Sequence, residues 1–289
     1  MGGVFFTKGH GTANDFVILP DPDGELDLTP ALVAALCDRR RGIGGDGVLR
    51  VVRSAKHPAA SGHAAEAEWF MDYWNSDGSI AEMCGNGVRV FARYLVANDL
   101  ATPGPAGLPV ATRAGVMFAV VEADTIRVRM STPRVYAGST ATIGALTVPG
   151  VAVDCGNPHL VCGLHDGVEL KGLDLTTAPL VDKALFRAGV NVEFTETAED
   201  VAGVDRHVRM RVHERGSGET MSCGTGALAV GAVALREVGL TTGSVAVDVL
   251  GGRFVVTCDE QGAWWLAGPA LLVASGEVDL SGLSTVAPS

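Results

Sequence analysis

Two stretches decide how this chain folds, and each is read best beside the other: Asn75-Ser76-Asp77-Gly78-Ser79-Ile80-Ala81-Glu82-Met83-Cys84-Gly85-Asn86-Gly87 and Glu214-Arg215-Gly216-Ser217-Gly218-Glu219-Thr220-Met221-Ser222-Cys223-Gly224-Thr225-Gly226. Both end in C-G-x-G. Ahead of the first, EWFMDYW predicts a strand and NSDGS a turn; behind it, Val88, Phe91, Ala92 and Leu95 fall on one helical stripe. Ahead of the second, VRMRVH alternates as a strand should and ERGSG turns. Behind it, ALAVGAVAL is apolar all round, which predicts a helix buried on every side. Strand, turn, cysteine and helix follow in the same order twice.

Working outward, the parallel continues. Asn75 and Glu214 each stand nine residues before their cysteine. Upstream, Gly11-Thr12-Ala13-Asn14-Asp15-Phe16-Val17 has its counterpart in Cys155-Gly156-Asn157-Pro158-His159-Leu160-Val161, with Asn14 70 residues before Cys84 and Asn157 66 before Cys223. The chain reads as two similar halves, each strand-rich with one central helix. We place the halves at residues 1–132, carrying Cys84, and 133–267, carrying Cys223, with a C-terminal strand at about 268–280 able to rejoin the first.

Composition removes whole function classes. The net charge is −11 and Lys and Arg form no stripe, which argues against nucleic acid as a partner. No run approaches the ~20 apolar residues of a membrane span, and MGGVFF has neither the basic nor the apolar region of a signal peptide. A soluble, cytoplasmic protein is the expectation. The six cysteines contain no C-x-x-C pair and no zinc-type His spacing, so no metal site is expected. Cys37, Cys155, Cys162 and Cys258 read as small buried hydrophobes. The G-x-G-x-x-G match at Gly42–Gly47 lies after a helix (TPALVAALCDRR) and before a strand (VLRVVR), the reverse of a dinucleotide site. His213-Glu214 fails as a zinc motif because position 217 is serine.

The paired cysteines carry the chemistry. A thiol at a helix N-terminus meets unpaired N–H groups and the positive end of the macrodipole, a setting expected to lower its pKa. The glycines beside it let backbone N–H groups close on a carboxylate. If the duplication brings both helix starts to one carboxylate, an α-carbon between two thiols loses a proton to one and gains a proton from the other. That is stereoinversion of an amino acid without a cofactor. Direct N–H bonds to the carboxylate, at about 2.7–4 kcal/mol for a directed oxyanion donor, outweigh the dipoles at about 0.3–1 kcal/mol each.

These motifs resemble the diaminopimelate epimerases over nearly the whole length: KGHGTANDFVIL, DRRRGIGGDG, YWNSDGSIAEMCGNGVRVFARYL, DCGNPH, GVNVEF, RVHERGSGETMSCGTGA and LAGPALLV. Proline-type racemases, the alternative on a similar scaffold, have His where this chain has Asn86. The resemblance implies an α/β (α+β) fold of two pseudo-symmetric halves, each a curved, mainly antiparallel sheet around a central helix. It implies interconversion of LL- and meso-diaminopimelate with no cofactor, in a cytoplasmic homodimer. Residue by residue it makes Cys84 and Cys223 the acid/base pair, assisted by His159 and Glu214. Asn14, Asn75, Asn157, Asn191, Glu214 and Arg215 become substrate contacts, with Gly85-Asn86 and Gly224-Thr225 on the reacting carboxylate. Local sequence alone reads Asn14, Asn157 and Asn191 as turn residues beside Gly or Pro. One departure stands out: Gly47 occupies a position where many members carry Gln.

Overall fold

The computed structural model describes residues 3–165 and 167–283, and the chain divides into two compact units. One comprises the residues up to Val128 together with those from Pro269 onward; the other is Arg129–Gly268.

The first unit is built from β1 (Val4–Gly11), β2 (Asn14–Pro20), α1 (Pro30–Cys37), β3 (Gly47–Arg53), β4 (Trp69–Asn75), α2 (Gly85–Ala97), β5 (Leu108–Thr112), β6 (Gly115–Val121) and the start of β7 (Ile126–Met130). The second holds β8 (Arg134–Ile143), β9 (Leu146–Asp154), β10 (Pro158–Gly163), β11 (Leu180–Val181), β12 (Asn191–Thr197), β13 (Arg206–Glu214), β14 (Gly218–Thr220), α3 (Gly224–Glu237), β15 (Gly243–Val249), β16 (Gly252–Cys258) and β17 (Trp264–Gly268). The last strand, β18 (Leu271–Val278), returns to the first unit and pairs antiparallel with β1.

Strand pairing exposes the duplication more fully than sequence does. In the first unit the order is β18-β1-β2-β3-β4-β5-β6-β7, with β2–β3 and β4–β5 parallel and every other pair antiparallel. In the second, β8-β9-β10-β12-β13-β15-β16-β17 repeats that pattern, with β10–β12 and β13–β15 the parallel pairs. The short β11 and β14 are additions on β8 and β13. The fold is therefore mixed α/β: the strands of each unit pair mainly antiparallel in matching order and pack on a long helix, α2 or α3, with α1 added on β3 in the first unit.

The sheet strands nearest the helices are buried along most of their length, because one face meets the helix and the other is covered as well. The helix α2 departs from the single stripe that its periodicity predicts: Arg89, Val90 and Tyr94 are buried along with Val88, Phe91, Ala92 and Leu95. The reason is that β1 to β6 and β18 all pack against it, which leaves a polar residue in its first turns enclosed. The smaller α1 starts in the expected way, Thr29 Oγ1 accepting the Leu32 N–H at 3.3 Å and Pro30 opening the helix.

Candidate active site

In each unit the cysteine is the N-cap of the central helix. Cys84 and Cys223 both have extended backbone, and each Sγ accepts the third helical N–H, from Gly87 and Gly226 respectively, at 3.4 Å. The capping bond consumes the third N–H. The first two N–H groups, those of Gly85 and Asn86 and of Gly224 and Thr225, belong to the set for which a helix offers no internal acceptor.

Around Cys84, the Asn14 carbonyl Oδ1 stands 3.6 Å from Sγ and accepts from Asn86 Nδ2 at 3.1 Å. Asn14 Nδ2 donates to Asp46 Oδ2 at 2.7 Å, so the GIGGDG loop steadies the amide. Asp46 and Asp15 are in turn clamped by Arg39, and Asp15 also by Lys8, whose ammonium reaches the Gly44 carbonyl. Burial opposes ionisation of Asp15, but its bonds to Arg39 and Lys8 prevail and hold the carboxyl well below the usual range. Thr12 and Ala13, just before Asn14, adopt left-handed backbone at φ 51° and 61°. For a β-branched residue that conformation is strained, and Arg89 Nη2 holds Thr12 Oγ1 there at 2.9 Å. The same guanidinium bonds Asn86 Oδ1 at 2.8 Å and is wholly buried. Asn75 ends β4 opposite Gly47, its amide bonded to Ser79 Oγ at 2.9 Å.

The Cys223 side is more acidic. Glu193 and His159 are both fully buried, with His159 Nδ1 2.7 Å from Glu193 Oε1 and Nε2 3.0 Å from Asn157 Oδ1. Asn191, paired with His159 across β10–β12, accepts the Arg215 N–H at 2.9 Å. The Arg215 side chain bonds the Ala188 carbonyl at 3.0 Å. Its stem lies over Gly189, where a Cβ would stand 2.8 Å from Cδ. Glu214 Oε1 takes the Thr220 hydroxyl at 2.5 Å, and Thr225 Oγ1 lies 3.6 Å from Cys223 Sγ.

Burial pushes the Cys223 thiol up, and the charges of Glu214 and Glu193 add to that, against the bonds from Thr225 and Gly226. This corrects the sequence expectation of a lowered thiol at the helix start. A helix N-terminus stabilises a thiolate by a fraction of a charge, whereas full burial strips the thiolate of water and the carboxylates of Glu214 and Glu193 add to that cost. The other four cysteines are buried, as their sequence context implies.

Each unit thus gathers its own share of the sequence-identified residues: Asn14, Asn75, Cys84, Gly85 and Asn86 in the first, Asn157, His159, Asn191, Glu214, Arg215, Cys223, Gly224 and Thr225 in the second. Among the polar residues on these networks that sequence did not single out are Thr12, Asp46, Arg89 and Glu193. Arg89 is visible as a cation one step from an apolar stripe. Glu193 has no local signal, because β12 is buried on successive positions and its partner His159 is 34 residues away.

Gly47 has a steric cause. A Cβ there would fall 2.4 Å from the Trp74 carbonyl oxygen and 2.7 Å from the Tyr73 ring. The Gln that the family resemblance leads one to expect there has no room in this backbone.

A family model described as diaminopimelate epimerase matches residues 6–136 and 151–278. A diaminopimelate epimerase of Streptomyces coelicolor is 51% identical, covering 98% of this chain and 98% of that protein. One from Thermobifida fusca is 50% identical, covering 96% of this chain and 99% of its own. Among solved structures, a phenazine biosynthesis protein of the PhzF family from Bacillus anthracis aligns with a TM-score of 0.67 at 17% identity, over 96% of this chain and 99% of its own. A hydroxyproline epimerase from Agrobacterium vitis aligns with a TM-score of 0.63 at 14% identity, over 98% and 95%. These two structures share the fold.

Proposed function

The chain belongs to the diaminopimelate epimerase family, and from that premise we propose that it interconverts LL- and meso-2,6-diaminopimelate by a two-thiol mechanism. It is an isomerase, of the amino-acid epimerase type. One observation carries the mechanism: a cysteine caps the central helix in each of two topologically matched units, its sulfur in the same bond to the third N–H.

One cysteine, as thiolate, takes the α-proton. The electron pair left on carbon delocalises into the carboxylate, whose oxygens accept N–H bonds from Gly85, Asn86, Gly224 and Thr225. The other cysteine, as thiol, delivers its proton to the opposite face. One proton leaves, one arrives, and the roles are exchanged. An amino-acid α-proton is weakly acidic, so these directed N–H donors carry the largest share of the stabilisation. Arg215 suits the distal carboxylate through its planar fork, and the amides of Asn14, Asn75, Asn157 and Asn191 supply paired donors and acceptors for the distal amino-acid centre. His159 and Glu214 assist the cysteines. A small imino acid, the substrate of the alternative reading, would leave Arg215 without a carboxylate. We place the protein in the cytoplasm, where six free thiols stay reduced, and as a homodimer. The exposed Leu271 and Val273 on β18 support a protein partner. Among the described residues, no helix is long and apolar enough to cross a membrane.

The test is turnover of LL-diaminopimelate beside L-proline in heavy water. The thiol that protonates product has exchanged with solvent, so early product carries deuterium while recovered substrate does not. Cys84→Ala and Cys223→Ala each abolish inversion. Equal labelling of substrate and product, or a near-normal rate in either variant, defeats the mechanism.

A further inference from the structure

The matched topology lets the two half-sites be compared position by position, and buried charge breaks the match. His159 pairs with Asn191 across β10–β12, as Phe16 pairs with Gly47 across β2–β3. Two positions further on, Glu193 corresponds to Leu49. The helices agree: a Cβ on Gly226 would meet Glu193 Oε1 at 2.7 Å, and one on Gly87 would meet Leu49 Cδ2 at 3.4 Å. The fifth residue after each cysteine is Arg89 in one unit and Leu228 in the other. Every one of these six side chains, Phe16, Leu49, Arg89, His159, Glu193 and Leu228, is 0% exposed. Behind Cys84 there is a buried cation and an apolar pair. Behind Cys223 there is an apolar residue and a carboxylate bonded to histidine.

We propose that Arg89 and Glu193 are positioning residues of opposite sign that fix the resting state of the site, with Cys84 as thiolate and the pair's one proton on Cys223. The proposal deepens the two-thiol reading and rests on it. Arg89 reaches the first turn of α2 through Gly85 O at 3.4 Å and Asn86 Oδ1 at 2.8 Å, and its charge is favoured by a negative Cys84. By linkage the thiolate is favoured by Arg89 to the same extent. Burial lowers Arg89 only to about 10, so it remains a cation at neutral pH.

The remaining charges near each cysteine do not reverse this. Near Cys84, Asp15 and Asp46 are paired with Arg39, and Asp15 with Lys8; Asp72 on β4 is paired with Arg50 and Arg113. His10 on β1 bonds the Ala13 N–H at 3.4 Å. Asn14 Oδ1, 3.6 Å from Cys84 Sγ, favours an S–H there, but a neutral sulfur bond is weaker than a full charge in an enclosed setting. Around Cys223, Glu214 on β13 reinforces Glu193. Burial raises the Glu193 carboxyl, and the charge and hydrogen bond of His159 on β10 oppose that and favour its ionised form; Asp154 on β9 is bonded to Arg134. Arg211 on β13 is held by Glu219, while Asp248 on β15 bonds Arg253 on β16 and His207.

Ultraviolet thiolate absorbance tests the proposal. It is titrated in Cys223→Ala, which reports Cys84, and in Cys84→Ala, which reports Cys223. The background is quiet: burial pushes Cys37 and Cys162 up to about 12 and raises Cys155 and Cys258 as well. Cys84 is expected to ionise at least about one pH unit below Cys223, a tenfold difference in thiolate fraction. Adding Arg89→Leu raises the Cys84 midpoint and Arg89→Lys restores it; adding Glu193→Gln lowers the Cys223 midpoint. Coincident or reversed midpoints in the two single variants overturn the proposal with Arg89 and Glu193 untouched, so it stays testable if the charge variants fold poorly. If both cysteine variants lose inversion while the midpoints are reversed, the charge assignment fails alone. If either retains inversion, the two-thiol reading fails.

Discussion

One added methyl distinguishes the half-sites by stability. In Gly226→Ala, the new Cβ falls 2.7 Å from Glu193 Oε1 and 3.2 Å from its Cγ. Glu193 has no room to swing aside, because it is fully buried and its Oε1 is held 2.7 Å from His159 Nδ1. In Gly87→Ala the new Cβ meets Leu49 Cδ2 at 3.4 Å and Met71 Sδ at 3.5 Å, which is ordinary contact. Overpacking a tight interior costs about 1–3 kcal/mol, and stretching a charge-assisted bond adds about 1 kcal/mol or more. Replacing glycine by alanine within a helix returns up to about 1 kcal/mol. Gly226→Ala is therefore expected to lose about 2 kcal/mol, and Gly87→Ala to lie between no change and a gain of about 1 kcal/mol. Urea unfolding measures both, read as a lower midpoint for the first and an equal or higher one for the second at unchanged slope. Equal shifts for the two variants would refute the view that a pinned carboxylate, rather than a generic helix packing site, lies under α3.

Gly47→Gln, the side chain that the family resemblance leads one to expect, should destabilise by about 3 kcal/mol or more, because the Trp74 carbonyl 2.4 Å from the new Cβ is backbone; thermal melting reads it, and an unchanged melt refutes the steric account. Arg215→Lys keeps the charge but loses the fork, and kcat/KM on diaminopimelate should fall at least about tenfold; unchanged kinetics would remove Arg215 from the site. Asp15→Asn should destabilise at pH 7 and lose that effect in acid. The folded carboxyl is depressed by Arg39 and Lys8, so its contribution is present above the unfolded value of about 3.9 and vanishes as pH falls through the folded one. Urea midpoints at neutral and acid pH decide it, and a pH-independent difference contradicts the ion-pair reading.

The parts of this molecule that were legible in sequence are those written in short-range pattern. C-G-x-G before an apolar run fixes Cys84 and Cys223 as helix caps, since the geometry needs only the cap and the next three residues. Alternation in VRMRVH and the aromatic-rich stretch EWFMDYW ahead of a turn mark β13 and β4. What pattern alone leaves open depends on pairing at a distance. The meeting of His159 with Glu193 follows from β10 and β12 lying parallel, a crossover that no local spacing encodes. The enclosure of Arg89 follows from strands on several sides of α2. The lowered thiol expected from helix position failed at Cys223 for the same reason: the packed strands bury it, and they bring Glu214 and Glu193 beside it.

Opposite buried charges also have a consequence for the pH range of turnover. Catalysis needs one proton on the two thiols, so activity is lost in acid when the thiolate takes a second proton and in alkali when the thiol loses the only one. Two equivalent thiols would share that proton evenly and leave a narrow bell. Arg89 favours negative charge at Cys84, which moves the acid limit down; Glu193 disfavours it at Cys223, which moves the alkaline limit up. The charges therefore widen the working range from both ends, although each limit belongs to the coupled pair rather than to one residue. Removing them should narrow the profile from opposite sides: Arg89→Leu raises the acid limit and leaves the alkaline one nearly in place, while Glu193→Gln lowers the alkaline limit and spares the acid one. A merely structural role would scale the profile down at all pH values without moving either limb. Measured as kcat/KM against pH on diaminopimelate, parallel movement of both limbs in either variant, or movement of neither, would mean that the buried charges do not divide the proton between the two cysteines.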